Sequence, residues 1–130
     1  MTPALNGRVL LVSDEEASRH VSAYVLQAVG YQVTECSSMA EARQLVVSGS
    51  PWMLLVVDVD MDPRAGVALR GMAPRSAGLP PLVLYLTGSL RRLAGRYRCL
   101  DSGEALLERP FNAAALVDAV RILCAESICA

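Results

Sequence analysis

The sequence predicts an α/β domain, namely a doubly wound, five-stranded parallel sheet with helices on both faces. Two observations predict it. Short apolar runs alternate with helical patterns along the chain, which is typical of βαβ units. The run at residues 53–57 is apolar at every position, as expected of a strand covered by helices on both faces. The 130 residues, 53 % of them hydrophobic, suit one domain with a well-filled core.

The first predicted unit begins with an apolar strand at residues 8–12, which ends at Ser13 and Asp14. A helix follows, and Gly30 is a natural C-terminal stop for it. The apolar residues that recur at helical spacing along this helix are Ala17, Val21, Val25 and Ala28.

The second unit has a strand at residues 32–36 and a helix that begins with a capping box. Ser38 and Glu41 have the spacing at which each side chain can satisfy a free backbone donor near the other. We expect this helix to run to about Ser48 and to end at Gly49.

The third strand, residues 53–57, ends at Asp58. The stretch from residue 60 to residue 81 is rich in Pro and Gly, and we expect one short helix in it, at about residues 66–72. The fourth strand is predicted at residues 82–86 and ends at Thr87.

The last two helices flank a short strand. We expect a helix at about residues 89–97, a strand at residues 105–107 that ends near Arg109, and a final helix capped by Asn112. Five βα units in this length suit the flavodoxin-like strand order 2-1-3-4-5. The expected buried face of the final helix consists of Leu116, Val117, Val120 and Leu123.

Composition excludes several classes of protein. The net charge is −1 and the 12 basic residues, all Arg, are spread along the chain, so the sequence predicts no nucleic-acid partner. No apolar run reaches the roughly 18 residues of a membrane span, and the N-terminus lacks a signal-peptide pattern. The four cysteines have no metal-ligand spacing. We therefore expect a cytoplasmic protein with reduced thiols.

Polar residues follow four of the predicted strands at the point where each ends. They are Asp14, Asp58, Thr87 and Arg109. In a doubly wound sheet these positions share the carboxyl edge, where such folds bind ligands. Because the first and third strands are neighbours in the predicted order, we expect Asp14 and Asp58 to lie close together.

These segments resemble the CheY-like receiver domain of response regulators, from about Gly7 to Ala125. The resemblance divides the chain into an N-terminal tail (1–6), a receiver domain (7–126) and a C-terminal tail (127–130). It is carried by four stretches in the same order: residues 9–15 (VLLVSDE), 55–61 (LVVDVDM) with Gly66, 84–88 (LYLTG) and 109–111 (RPF).

The resemblance implies a role for each edge residue. Asp58 would accept a phosphoryl group from a histidine kinase or phosphotransfer protein. Mg²⁺ would be held by Asp14, Asp58 and the backbone carbonyl of Asp60. Thr87 would hydrogen-bond the phosphoryl group and move when it arrives, and Arg109 would pair with its oxygens. The face formed by the fourth helix, fifth strand and fifth helix would then change its affinity for a partner or a second copy.

Several positions depart from the family pattern, and three of them bear on the proposed roles. Ser13 replaces the first acid of a pair, so we expect weakened Mg²⁺ binding. Arg109 replaces a lysine; it keeps the charge and can grip oxygens bidentately, although the exchange is not automatically neutral. Leu106 replaces an aromatic switch residue. These departures motivate the alternative of a phosphorylation-independent pseudo-receiver, an interaction or dimerisation module.

Simpler interpretations accompany these roles. Asp58 could be a strand-end turn residue, and Asp14 could be the N-cap of the first helix. We interpret the side chains of Asp60 and Asp62 as solvated loop acids rather than extra metal ligands. A flavin-binding function is disfavoured, because the acidic loop after the first strand is unlike a phosphate cradle. No turnover of an external substrate is expected, only slow self-phosphorylation and self-dephosphorylation at most.

Overall fold

The predicted fold is confirmed. The structure, a computed structural model, describes residues 7–48, 51–93, 100 and 102–129. Five parallel strands form one sheet in the order β2-β1-β3-β4-β5. The elements are β1 Arg8–Val12, α1 Glu16–Ala28, β2 Gln32–Cys36, α2 Met39–Val47, β3 Leu54–Asp58, α3 Ala65–Met72, β4 Leu82–Thr87, α4 Leu90–Leu93, β5 Glu104–Glu108 and α5 Ala113–Cys129.

The central strands are buried on both faces, as their apolar runs predict. Every residue of β3 and β4 is buried, and each fully buried Val or Leu side chain contributes roughly 1.5–3 kcal/mol. Alternate strand residues point to opposite faces. Leu10, Leu55 and Val83 pack with α2 and α3. On the other face, the strand residues that pack with α1 and α5 include Leu11, Val56 and Leu84.

The predicted stripe of α1 is not its buried face. Val21 is 63 % exposed, whereas Ser22, Ala23 and Leu26 are buried. The helix carries apolar residues on more than one side, so spacing alone allowed two faces. Packing selects the face with Ala23 and Leu26, which joins the core between α1 and α5.

The ends of the helices follow local chemistry closely. The Ser38 hydroxyl accepts a hydrogen bond from the Glu41 N–H at 3.2 Å, and Asn112 Oδ1 accepts one from the Ala115 N–H at 2.8 Å. Both caps were predicted. The N-cap of α1, however, is Glu15 rather than Asp14, and the Ser13 hydroxyl accepts the Glu15 N–H at 3.2 Å.

Later elements match the prediction with adjustments at their ends. In α5, Leu116, Val120 and Leu123 are buried, Val117 is partly exposed, and the helix continues to Cys129. Of the helix predicted at residues 89–97, α4 covers Leu90–Leu93; residues 94–97, like Gly49, lie outside the described residues. No described helix has the length and hydropathy needed to cross a membrane.

Candidate functional site

The polar residues at the carboxyl edge of the sheet come together around Asp58. This residue ends β3 at the centre of the sheet and is only 4 % exposed. Thr87 ends the neighbouring strand β4 and is fully buried. Arg109 comes directly after β5. Parallel strands thus bring residues that are far apart in sequence to one edge.

Both oxygens of the Asp58 carboxylate are engaged. Oδ2 accepts hydrogen bonds from the Ser13 hydroxyl at 3.2 Å and from Arg109 Nη2 at 3.0 Å. Oδ1 accepts the backbone N–H of Asp60 at 2.9 Å. A buried carboxylate is costly unless it is paired and hydrogen-bonded. The guanidinium and the two neutral donors meet that requirement for Asp58.

The Asp60 side chain is also held in the site, which the sequence analysis did not anticipate. Its Oδ1 accepts the Thr87 hydroxyl at 3.1 Å, and its Oδ2 accepts the Gly88 N–H at 2.7 Å. Arg109 Nη1 lies 3.7 Å from Oδ2. The side chain is exposed, as expected of a solvated loop acid, but its carboxylate is also hydrogen-bonded to the end of β4. Spacing gave no signal for it, because a loop residue's direction depends on the loop's path.

Arg109 is the positive centre of the site. One guanidinium nitrogen pairs with Asp58 and the other faces Asp60. Its Nε is buried and has no hydrogen-bond partner among the described residues. The peptide bond between Arg109 and Pro110 is cis. The guanidinium thus contains one buried donor that the described residues leave unsatisfied.

The Mg²⁺ site that the resemblance implies is not shown by the described residues. Asp14 is exposed, whereas Ser13 beside it is buried and contacts Asp58. The described part of the chain contains no cluster of three or more His, Cys, Asp or Glu residues able to hold a metal ion. The Arg109 guanidinium forms ion pairs with the carboxylates of both Asp58 and Asp60. Mg²⁺ binding stays a prediction.

An aromatic residue lies beside the altered switch position. Leu106, on β5, pairs in register with Tyr85 on β4. Tyr85 is fully buried, and its hydroxyl donates to the carboxylate of Glu104. Sequence analysis did not single out Tyr85. The available signal was Gly66, whose missing side chain leaves room for the ring: a Cβ there would lie 2.3 Å from Tyr85 Cε1.

Solved receiver-domain structures match the chain over nearly its full length. The receiver domain of the hybrid histidine kinase CckA is 28 % identical, with 90 % of this chain and 98 % of that chain covered and a TM-score of 0.66. A response regulator receiver protein from Sinorhizobium medicae is 24 % identical, with 89 % and 92 % covered and a TM-score of 0.72. A CheY-like receiver domain protein from Methanospirillum hungatei is 18 % identical, with 97 % and 100 % covered and a TM-score of 0.75.

No protein-family profile matches the sequence, and no curated protein is significantly similar to it. The chain therefore resembles these proteins closely in structure and only weakly in sequence. The chain has the fold of a CheY-like response regulator receiver domain, and it is a divergent example of that fold.

Proposed function

We propose that the chain is a receiver module of two-component signalling in which Asp58 accepts a phosphoryl group from a histidine kinase or phosphotransfer protein. The observation that carries the proposal is the buried carboxylate of Asp58 with a guanidinium nitrogen of Arg109 3.0 Å away. This pair lies at the carboxyl edge of the central strand, where folds of this class bind their ligands.

The proposed phosphoryl transfer needs no reactant besides Asp58 and the phosphorylated histidine of the donor. An Asp58 oxygen attacks the phosphorus, the phosphorus–nitrogen bond to the donor histidine breaks, and the imidazole leaves with the electron pair. Phosphoryl transfer depends mainly on positioning and charge neutralisation. Arg109 would neutralise the new anion, and its unpaired Nε–H could donate to a phosphoryl oxygen. The Thr87 hydroxyl would donate to another.

The signal would be a change in partner affinity. A phosphoryl group can shift the domain between two states only if a partner or second copy binds those states differently. The predicted partner face of α4, β5 and α5 includes residues outside the described ranges. The proposed partners in the transfer are Asp58 as the phosphoryl acceptor and a histidine kinase or phosphotransfer protein as the donor. No external substrate is turned over.

The alternative is a pseudo-receiver that binds a partner or a second copy without phosphorylation. Ser13 in place of an acid and Leu106 in place of an aromatic residue favour it. Under this alternative, Asp58 and Arg109 would form a structural ion pair.

Intact mass spectrometry after treatment with acetyl phosphate tests the leading proposal. In this reaction the phosphorus–oxygen bond of the donor breaks and acetate leaves. The native chain and Asp62→Asn should gain one phosphoryl group, and Asp58→Asn should gain none. Each protein is treated both with EDTA and across a range of Mg²⁺ concentrations.

A native chain that stays unmodified under every condition would contradict phosphoryl acceptance. A group added equally to Asp58→Asn would place the acceptor elsewhere. The pseudo-receiver alternative makes its own prediction: Asp58→Asn should leave binding to the cellular partner unchanged. A clear loss of binding in a folded Asp58→Asn variant would exclude it.

A further inference from the structure

Two hydrogen-bond donors and one guanidinium converge on a carboxylate that is not the proposed acceptor. The Thr87 hydroxyl and the Gly88 N–H bind the two oxygens of Asp60 at 3.1 Å and 2.7 Å. Arg109 Nη1 adds positive charge 3.7 Å away. A hydroxyl, a backbone amide and a guanidinium facing one point form an anion-binding site. In the unphosphorylated chain, the anion in that site is the Asp60 carboxylate.

The same donors are the ones that a phosphoryl group on Asp58 would need. Arg109 holds Asp58 through Nη2 and faces Asp60 through Nη1, so the two carboxylates share one cation. The backbone N–H of Gly88 has a single hydrogen and can serve one strong acceptor at a time. A phosphoryl group and the Asp60 carboxylate would also repel each other as like charges. Both anions cannot use this site together.

We propose that the Asp60 carboxylate is an internal anion that occupies the phosphoryl-binding donors, and that phosphorylation of Asp58 requires its displacement. The displacement rests on the function proposed above, whereas the occupancy does not. Asp60 is two residues from Asp58, so its carboxylate is held at the site at high effective concentration. It is also 38 % exposed, which gives it a route out to solvent.

This arrangement explains how Thr87 is held without a phosphoryl group. The Thr87 hydroxyl lies 3.1 Å from the Asp60 carboxylate, the nearer of its two acceptors, and 3.3 Å from the Ser89 carbonyl, and the Ser89 N–H donates to the same hydroxyl at 3.0 Å. The end of β4 is thus in an anion-bound arrangement in the unmodified chain. Asp60 both blocks the donors and holds Thr87 in place, so removing its charge should free the site for another anion.

The experiment compares Asp60→Ala and Asp60→Asn with Asp62→Ala and Asp62→Asn. Asp62 lies in the same loop and carries the same charge, but its Oδ1 accepts the Arg64 N–H instead of a donor from the site. Two readouts are taken on the full chain: the Gly88 amide proton by NMR, and the rate of phosphorylation by acetyl phosphate from intact mass. Both Asp60 variants are first shown to be folded by circular dichroism.

The expected result is an upfield shift and faster solvent exchange of the Gly88 amide in Asp60→Ala, a smaller change in Asp60→Asn because its amide oxygen can still accept the N–H, and no change in the Asp62 variants. Phosphorylation of Asp60→Ala should be faster than native by about 10-fold or more, the effect of losing one charge-assisted hydrogen bond. Asp62→Ala should react at the native rate.

Each outcome that differs from the expected result would overturn a different claim. An unchanged Gly88 amide in folded Asp60 variants would overturn the occupancy, whatever the phosphorylation rate. A shifted amide with equal rates in native and Asp60→Ala would overturn the displacement. A shifted amide with no phosphorylation of any variant would support the occupancy and overturn Asp58 as an acceptor, which separates this inference from the proposed function.

Discussion

The pair of Asp58 and Arg109 makes the site sensitive to single substitutions. The Asp58 carboxylate is buried and is stabilised by the Arg109 guanidinium and the Ser13 hydroxyl. Removing one partner of a buried ion pair typically costs about 3–5 kcal/mol, because the other charge is left uncompensated. Placing a second negative charge beside such a pair should also lower the free energy of unfolding. A substitution at position 13 measures this effect.

Replacing Ser13 with Asp should destabilise the chain in EDTA by about 2–3 kcal/mol, since Ser13 is buried and its hydroxyl lies 3.2 Å from Asp58. The substitution restores the acidic pair of the receiver pattern. Mg²⁺ should therefore raise the melting temperature of Ser13→Asp far more than that of the native chain. Thermal unfolding with and without Mg²⁺ measures both effects.

Ser13→Ala is the matched control for this substitution. It removes the hydrogen bond to Asp58 without adding charge, and it should cost about 1 kcal/mol with no response to Mg²⁺. If Ser13→Asp were as stable as Ser13→Ala in EDTA and equally indifferent to Mg²⁺, the side chain at position 13 would not face the Asp58 carboxylate as described.

At the scale of elements, the packing of α3 on β4 depends on one glycine. Gly66 is buried in the first turn of α3, and a Cβ there would lie 2.3 Å from the Tyr85 ring. Gly71, on the same helix, is exposed and has nothing within 4 Å of its ideal Cβ position. Two glycines in one helix thus have opposite environments, which permits a paired test.

Gly66→Ala should lower the free energy of unfolding by about 1–3 kcal/mol, because Tyr85 must leave its position or the helix must shift. Gly71→Ala should leave it unchanged or raise it by up to about 1 kcal/mol through helix propensity. Urea denaturation of both variants measures the difference. Equal stability of the two variants would contradict the close approach of α3 to Tyr85.

The position of Trp52 determines what tryptophan fluorescence can report about the site around Asp58. Trp52 is buried six residues before Asp58 and just before β3 begins, and its Nε1 donates to the Leu45 carbonyl at 3.3 Å. At about 3.3 Å per residue the two residues are separated by roughly 20 Å. Its fluorescence therefore reports on global unfolding, and mass spectrometry and NMR are the direct readouts of the site.

At the scale of the whole molecule, folding changes the ionisation of a core thiol. Burial raises the pKa of Cys36 to about 11 from its ordinary value of 9.0, although a backbone hydrogen bond at Ser38 opposes this. Cys36 belongs to the core on the side of α2 and α3. Between about pH 9 and pH 11, the unfolded chain loses this proton and the folded chain retains it.

Stability should therefore be full below about pH 9 and fall as the pH rises towards 11. The contribution of Cys36 has an upper limit of about 3 kcal/mol, since one pKa unit corresponds to about 1.4 kcal/mol. Urea denaturation of native protein and Cys36→Ala across pH 8–11 tests this. Native protein should lose more stability than the variant over that range, and parallel curves would contradict the prediction.

The sequence by itself determined the class of fold, the strand order and the edge where the site lies. These features depend on local patterns: apolar runs define the strands of residues 53–57 and 82–86, and the polar residues that end strands fall at one edge once the strands are parallel. The caps at Ser38 and Asn112 were equally predictable, because a cap involves residues only three apart.

Tertiary structure alone decided how the edge residues meet. It made Ser13, not Asp14, the contact of Asp58, and it turned α1 so that Ala23 and Leu26 face the core. It also placed the Asp60 carboxylate on Thr87 and Gly88. These contacts join segments far apart in the chain, and their geometry depends on loop paths and on the packing of whole helices. No local spacing in the sequence encodes those distances.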